Sequence, residues 1–284
     1  MYEYQGILAV LVAVMAWGSY TVPLKRATGL SPFWFQIWCS VGIGISSLAL
    51  GAWRGFPSFS PWGVLGGLFW SVGAACSFLA VQKEGLSGAS TRWMGTGILV
   101  SFLSGVFLLG EPVHFLLAFP GILLLIAGLF LVSRASPPSA PGTAKSLFAN
   151  WRSIVAGVIF GAYLLPLQIA KVESMDFVAP MGLGILGGAF LIWIIFRPKS
   201  SPGMRVLSMG CGLAWNFANL GSLIAVQSLG MAVGFPLTQL ALLVSIAWGV
   251  FVFKEAPLPS QKRFLALAAL TLLVGAALLG ISRG

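Results

Sequence analysis

Acidic residues are scarce. The 284-residue chain carries six Asp and Glu against sixteen Lys and Arg, and charged residues make up 8% of it. No carboxylate lies deep in an apolar run, since Glu84, Glu111, Glu173, Asp176 and Glu255 all stand at or near run ends. A carrier that exports cations needs a membrane-embedded carboxylate as counter-ion and proton carrier, so this absence argues against that class. His114 is the one histidine and Asp176 the one aspartate. A histidine-built metal site and the usual nucleophile-base-acid groupings therefore cannot be assembled, and neither His-Glu-x-x-His nor Gly-x-Ser-x-Gly occurs. The expectation is a protein that is not an enzyme and holds no cofactor and no metal. Cysteine is equally sparse: Cys39, Cys76 and Cys211 are an odd number and each sits inside an apolar run, which excludes a disulfide framework.

What the chain has in excess is apolar surface. With 58% hydrophobic residues and a mean hydropathy of +0.97, the chain requires a bilayer as solvent. A helix needs about 20 apolar residues to cross the hydrocarbon core. Ten such runs are found, at 6–24, 33–53, 62–81, 93–109, 115–132, 154–170, 177–196, 206–226, 231–253 and 264–281. The first is not a cleaved signal, because its leader carries Glu3 and no basic residue while Lys25 and Arg26 follow it. The formal charge of +10 lies between apolar runs and not along a helical face, so it marks topology and not nucleic-acid binding. Thirteen Lys and Arg fall in the loops after the odd-numbered spans, and only Arg54, Lys171 and Arg283 on the other side. The positive-inside rule then places both termini outside the cytoplasm of a multi-pass protein of the cell membrane.

The chain also writes itself twice. Gly18, Tyr20, Pro23 and Leu24 recur in register as Gly161, Tyr163, Pro166 and Leu167. Gly67, Leu68 and Trp70 recur as Gly212, Leu213 and Trp215, Ala80-Val81-Gln82 as Ala225-Val226-Gln227, and Ser101 with Gly105 as Ser245 with Gly249, while Glu111 recurs as Glu255. A Ser/Pro/Ala-rich linker over 134–150 separates the copies, giving five-helix repeats at 1–133 and 151–284. Five is odd, so the second copy enters the membrane from the opposite face. The fold expected is an all-α integral membrane protein of ten transmembrane helices in two inverted five-helix repeats.

Three segments carry a family likeness: Trp17, Gly18, Ser19, Val22, Pro23 and Lys25; then Phe35-Gln36 with Gly66-Gly67-Leu68-Phe69-Trp70; then Gly110-Glu111-Pro112. They resemble the drug/metabolite transporter superfamily, and within it the glucose/ribose porter branch of sugar transporters. The resemblance covers nearly the whole chain and departs from the pattern at Phe160-Gly161-Ala162, where a second Trp-Gly-Ser would fall. It implies a secondary transporter with a small-molecule substrate, and it adds weight to Lys25 as a residue of the cavity mouth.

The candidate solute site follows from polar residues inside apolar helices. Trp215, Asn219 and Ser222 fall at i, i+4 and i+7, with Asn216 adjacent, and amides in hydrocarbon must face a bundle interior or a wet cavity. Interhelical hydrogen bonding is the competing reading. Trp17 and Tyr20 share a face, Tyr163 is the repeat mate of Tyr20, and Trp70 is the mate of Trp215; interfacial aromatic belts are the alternative for these residues. Gln168 and Gln239 are further candidates for the same wall, while Lys25 and Arg92 are candidates for a gate or for plain topology marking. Aromatic planes beside neutral amides and hydroxyls suit a neutral, many-hydroxyl solute such as a hexose or pentose. An amino acid, an amine or another small metabolite is the alternative cargo. Glu111 and Glu255 read as helix-end packing or a gate, and Pro236 as a loosened first turn or a helix start. The Ser101/Gly105 and Ser245/Gly249 pairs read as the contact between the fourth and ninth spans. The Gly182/Gly184/Gly187 spacing imitates a dinucleotide fingerprint, but it lies in an apolar helix, where it serves packing.

Overall fold

The computed structural model describes residues 2–23, 29–56, 59–84, 86–135, 150–254 and 259–283, and all of its regular elements are helical. In chain order they are α1 (Tyr2–Ser19), α2 (Pro32–Trp53), α3 (Pro61–Glu84), α4 (Leu86–Leu103), α5 (Phe115–Ala135), α6 (Trp151–Ala162), α7 (Leu165–Ala170), α8 (Ser174–Phe196), α9 (Arg205–Leu229), α10 (Met231–Thr238), α11 (Ala241–Ala247) and α12 (Pro259–Ile281). Among the described residues, nine spans are long and apolar enough to cross a membrane; the first run forms a shorter apolar helix, Tyr4–Ser19. The chain is thus a multi-pass integral membrane protein. The linker over 136–149, Lys25 and Glu255 lie outside the described residues.

Proline decides where two of the expected spans break. A proline at position i has no N–H for the carbonyl at i−4 and its ring crowds that carbonyl. α1 stops at Ser19, four residues before Pro23, and α6 stops at Ala162, four before Pro166. The expected helix over 154–170 is therefore two pieces joined through Tyr163 and Leu164. The ninth span divides after Pro236, where Gln239 and Leu240 bond back three residues to Pro236 and Leu237 at 3.1 and 3.2 Å. Two wide turns sit at matching places in the repeat. Leu109 N–H reaches back five residues to Ser104, and Phe253 N–H to Trp248, at 2.9 and 3.0 Å.

Packing is set by glycines at backbone crossings. α9 crosses α2 where a Cβ on Gly212 would lie 2.0 Å from the Cys39 carbonyl oxygen, and one on Gly42 2.1 Å from that of Met209. α3 crosses α8 in the same manner, Gly67 against Met181 (2.2 Å) and Gly184 against Val64 (2.1 Å). Gly18 meets Ala241 and Val244 on α11, as Gly161 meets Gly97 and Val100 on α4. Gly121 and Gly275 each face the other's carbonyl where α5 and α12 pack. The Gly18 contact with α11 and the crossing of α9 on α2 at Gly212 thus have counterparts in Gly161 on α4 and Gly67 of α3 on α8. Gly182 and Gly184 serve these crossings, Gly182 against Ser47, as the packing reading expects.

Ser101 donates to the Met231 carbonyl at 2.6 Å, joining α4 to α10 as expected. Ser245 does not make the mirrored contact. Its hydroxyl donates to Gly18 O of α1 at 3.0 Å, where α11 packs on the first helix. Glu111 grips the start of α10, its two carboxylate oxygens accepting from Met231 and Ala232 N–H at 2.7 Å each. Packing is the reading this supports, since the carboxylate neutralises donors that a helix start leaves unpaired. Glu111→Ala is expected to destabilise by about 1–2 kcal/mol, lowering the melting temperature in detergent by several degrees, with Glu111→Gln in between; equal melting for all three proteins would remove this role.

Candidate functional site

α9 is built inside out for a soluble protein and correctly for lipid. Its apolar Leu213 and Phe217 are exposed, while Trp215, Asn216, Asn219 and Ser222 are buried on the opposite face. The indole of Trp215 lies between two others, 4.5 Å from Trp70 of α3 and 6.1 Å from Trp17 of α1, centroid to centroid. Tyr163, at the break between α6 and α7, donates its hydroxyl to Asn219 Oδ1 at 3.2 Å, with Ser222 beside it. Asn219 Nδ2 points at Met181 Sδ (3.5 Å), and Asn216 Nδ2 donates to Ser46 Oγ at 2.9 Å. The structure thus brings Trp17, Trp70, Tyr163, Trp215, Asn216, Asn219 and Ser222 together, from four of the expected spans.

Three polar atoms in this group lack partners. Trp17 Nε1, Asn216 Oδ1 and Ser222 Oγ are buried with no hydrogen-bond partner among the described residues. An unpaired buried donor or acceptor costs about 1–3 kcal/mol. The indole nitrogen can only donate, the amide oxygen can only accept and the serine hydroxyl can do both, functions that solute hydroxyls match. Among the described residues no group of His, Cys, Asp and Glu suited to a metal is found.

The remaining candidates are placed elsewhere. Gln168 Nε2 donates to the Val226 carbonyl at 2.7 Å, tying α7 to α9. Gln239 stands at the α10–α11 break and donates to Thr238 Oγ1 at 3.2 Å. Tyr20 is half-buried and lines an open cavity of about 670 Å3 together with Ser19, Pro23, Gly210 and Cys211. Arg92 is half-buried on α4, its guanidinium folded back beside Gly88. Lys25 lies outside the described residues.

Sequence reasoning passed over several neighbours of the site. Gln36 of α2 is 1% exposed, donates to the Ser71 carbonyl at 3.0 Å and leaves its Oε1 unpartnered. A glutamine inside an apolar run was the available signal. Phe235 packs edge-on against Tyr163 at 6.3 Å; nothing in its sequence surroundings separates it from other core phenylalanines.

At the end of the bundle that holds the loops after α2 and α7, Arg54 reaches Asp176 at 3.4 Å and Glu173 at 3.6 Å, joining the end of α2 to the start of α8. At the other end of the same pair the join is aromatic: Phe33 stacks on Phe196 at 4.1 Å. Beside it Trp34 Nε1 donates to Ser201 O at 2.9 Å, and the Arg205 guanidinium lies over Trp34 and Trp38.

The chain is similar over nearly its whole length to proteins named for sugar uptake. A "Putative sugar uptake protein" of Streptococcus pyogenes serotype M1 is 28% identical over 290 residues, covering 98% of this chain and 99% of the relative. One of the same description from Streptococcus agalactiae serotype V is 27% identical, with 98% of each chain covered. One from Enterococcus faecalis is 23% identical over 77% of this chain and 78% of its own. A solved structure titled only "Crystal structure of protein" superposes with a TM-score of 0.72 at 20% identity, covering 96% of this chain and 95% of that one, which speaks for the fold. The family model described as "Sugar transport protein" matches residues 7–282, and the chain belongs to that family of membrane transport proteins.

Proposed function

We propose that the protein is a secondary transporter that carries a small neutral polyhydroxylated solute, a hexose or pentose, across the cell membrane by alternating access. The observation that carries this reading is the pairing of unsatisfied, uncharged polar atoms with indole faces at Trp17, Trp70, Trp215 and Asn216. A ring covers the apolar face of a sugar while its hydroxyls both donate and accept. The moving parts are two inverted repeats, 1–133 and 151–284. Reciprocal crossings such as Gly212 on Cys39 and Gly67 on Met181 support them, because a two-fold relation between copies pairs each contact with its counterpart. The distribution of basic residues supports an orientation with both termini outside the cytoplasm. In that orientation the Arg54 ion pairs close the outer end and the cavity at Tyr20 opens inward.

Three indoles also suit a cation, which keeps an amine or amino acid as the second reading; a carboxylate counter-charge in the cluster would favour it, whereas the acidic residues stand at or near the ends of apolar runs. Thermal stabilisation of the purified protein separates the two. A ligand at about 100 times its Kd stabilises by about 2.7 kcal/mol. Pentoses or hexoses are expected to raise the melting temperature and amines to leave it unchanged; the reverse pattern would replace the sugar reading with the amine one.

A further inference from the structure

The cavity at Tyr20 does not reach the buried polar cluster. Its walls are the end of α1 and the turn after it (Ala16, Ser19, Tyr20, Pro23) and a stripe of α9 that includes Val206, Gly210, Cys211 and Ala214. Neither Trp17 nor Trp215 is part of that lining, although each follows a lining residue directly and their rings meet at 6.1 Å. Behind them stand Asn216, Asn219 and Ser222, which are buried. Trp17 lies about 4.5 Å along α1 from Tyr20, and Trp215 about 6 Å along α9 from Cys211, at 1.5 Å per residue. The two indoles therefore stand between the open cavity and the buried polar cluster.

We infer that the cavity is a water-filled vestibule of the solute path and that the Trp17–Trp215 ring pair is the partition the solute must pass to reach Asn216 and Asn219. This rests on the reading of the tryptophan–asparagine cluster as the solute site. The partition acts by position: the rings fill the gap between α1 and α9, and movement of either helix against the other parts them. Their aromatic faces also offer the passing solute the same surface it meets in the site, so the pair is a gate that selects as well as seals.

The pair can be tested without any solute, by thiol labelling of protein in liposomes read peptide by peptide by mass spectrometry. Gly210→Cys supplies a probe in the vestibule, where an added Cβ has nothing within 4 Å. Ser222→Cys supplies one behind the partition. A charged, membrane-impermeant methanethiosulfonate present on both sides of the membrane is expected to label Gly210→Cys readily and Ser222→Cys at least about tenfold more slowly, since access there needs the gate to open. Adding Trp215→Ala is expected to raise the Ser222→Cys rate about tenfold or more while leaving Gly210→Cys within about twofold. Trp17→Ala is the second variant should Trp215→Ala not yield folded protein, with the Gly210→Cys rate as the check of the fold.

Labelling of Gly210→Cys by lipid-soluble maleimide alone would make the cavity a lipid-filled groove and end the inference. A Ser222→Cys rate unchanged by both tryptophan substitutions would end it too. Either result leaves the sugar reading standing, because that reading fails by a different measurement, loss of sugar-induced stabilisation.

Discussion

Gly212→Ala and Gly67→Ala are expected to yield little folded protein, and to do so to the same degree. An added methyl at Gly212 would stand 2.0 Å from the Cys39 carbonyl oxygen, and at Gly67 2.2 Å from that of Met181. In each case the obstacle is backbone of the neighbouring helix, which cannot rotate aside as a side chain does, so whole helices must separate. Overpacking usually costs about 1–3 kcal/mol; here the loss should be at the upper end or beyond it. Gly187→Ala is the internal contrast. Its new methyl would meet nothing nearer than Leu68 Cδ2 at 3.9 Å, and alanine is favoured over glycine in a helix by about 0.5–1 kcal/mol. Gel filtration and thermal melting of the three variants check the expectation. A folded, monodisperse Gly212→Ala protein would mean that α2 and α9 do not cross as described.

The second large effect falls on transport. Asn216→Leu and Asn219→Leu preserve side-chain bulk and remove the amide, so each should lower solute affinity by about ten- to a hundredfold, the loss of one or two hydrogen bonds worth about 1.4–2.8 kcal/mol. Asn219→Leu also strips the Tyr163 hydroxyl of its acceptor at 3.2 Å, so part of its deficit should recover in Asn219→Leu combined with Tyr163→Phe. That recovery distinguishes an orphaned phenol from a lost solute contact. Phe217→Leu, on the lipid-exposed face of the same helix, should transport normally. Normal transport by both asparagine variants would move the site elsewhere in the bundle.

Much of this architecture is readable before any coordinates. Apolar run length locates the spans, and the i, i+4, i+7 spacing of Trp215, Asn219 and Ser222 marks the buried face of α9, because lipid cannot satisfy amides. What periodicity does not reveal is where a helix stops within an apolar run. The ends of α1 and α6 follow from Pro23 and Pro166, whose effect falls four residues upstream, while a hydropathy window reads straight through the break. Partner identity is less readable still. Gln168 resembles Asn219 as a polar residue in an apolar run, yet its partner is the backbone carbonyl of Val226, a contact fixed by how α7 packs on α9. The same holds for Arg54 with Asp176, 122 positions apart in the chain. Ser245 shows the limit of repeat reasoning: its mate Ser101 bonds α10, but Ser245 bonds the Gly18 carbonyl of α1.

The most direct test is uptake of radiolabelled pentoses and hexoses into liposomes reconstituted with the purified protein, beside labelled amines and protein-free liposomes. The account predicts that at least one neutral sugar enters faster than through protein-free membrane, competed by unlabelled sugar and not by amines. Entry of amines alone, or of no solute in the panel, would contradict it.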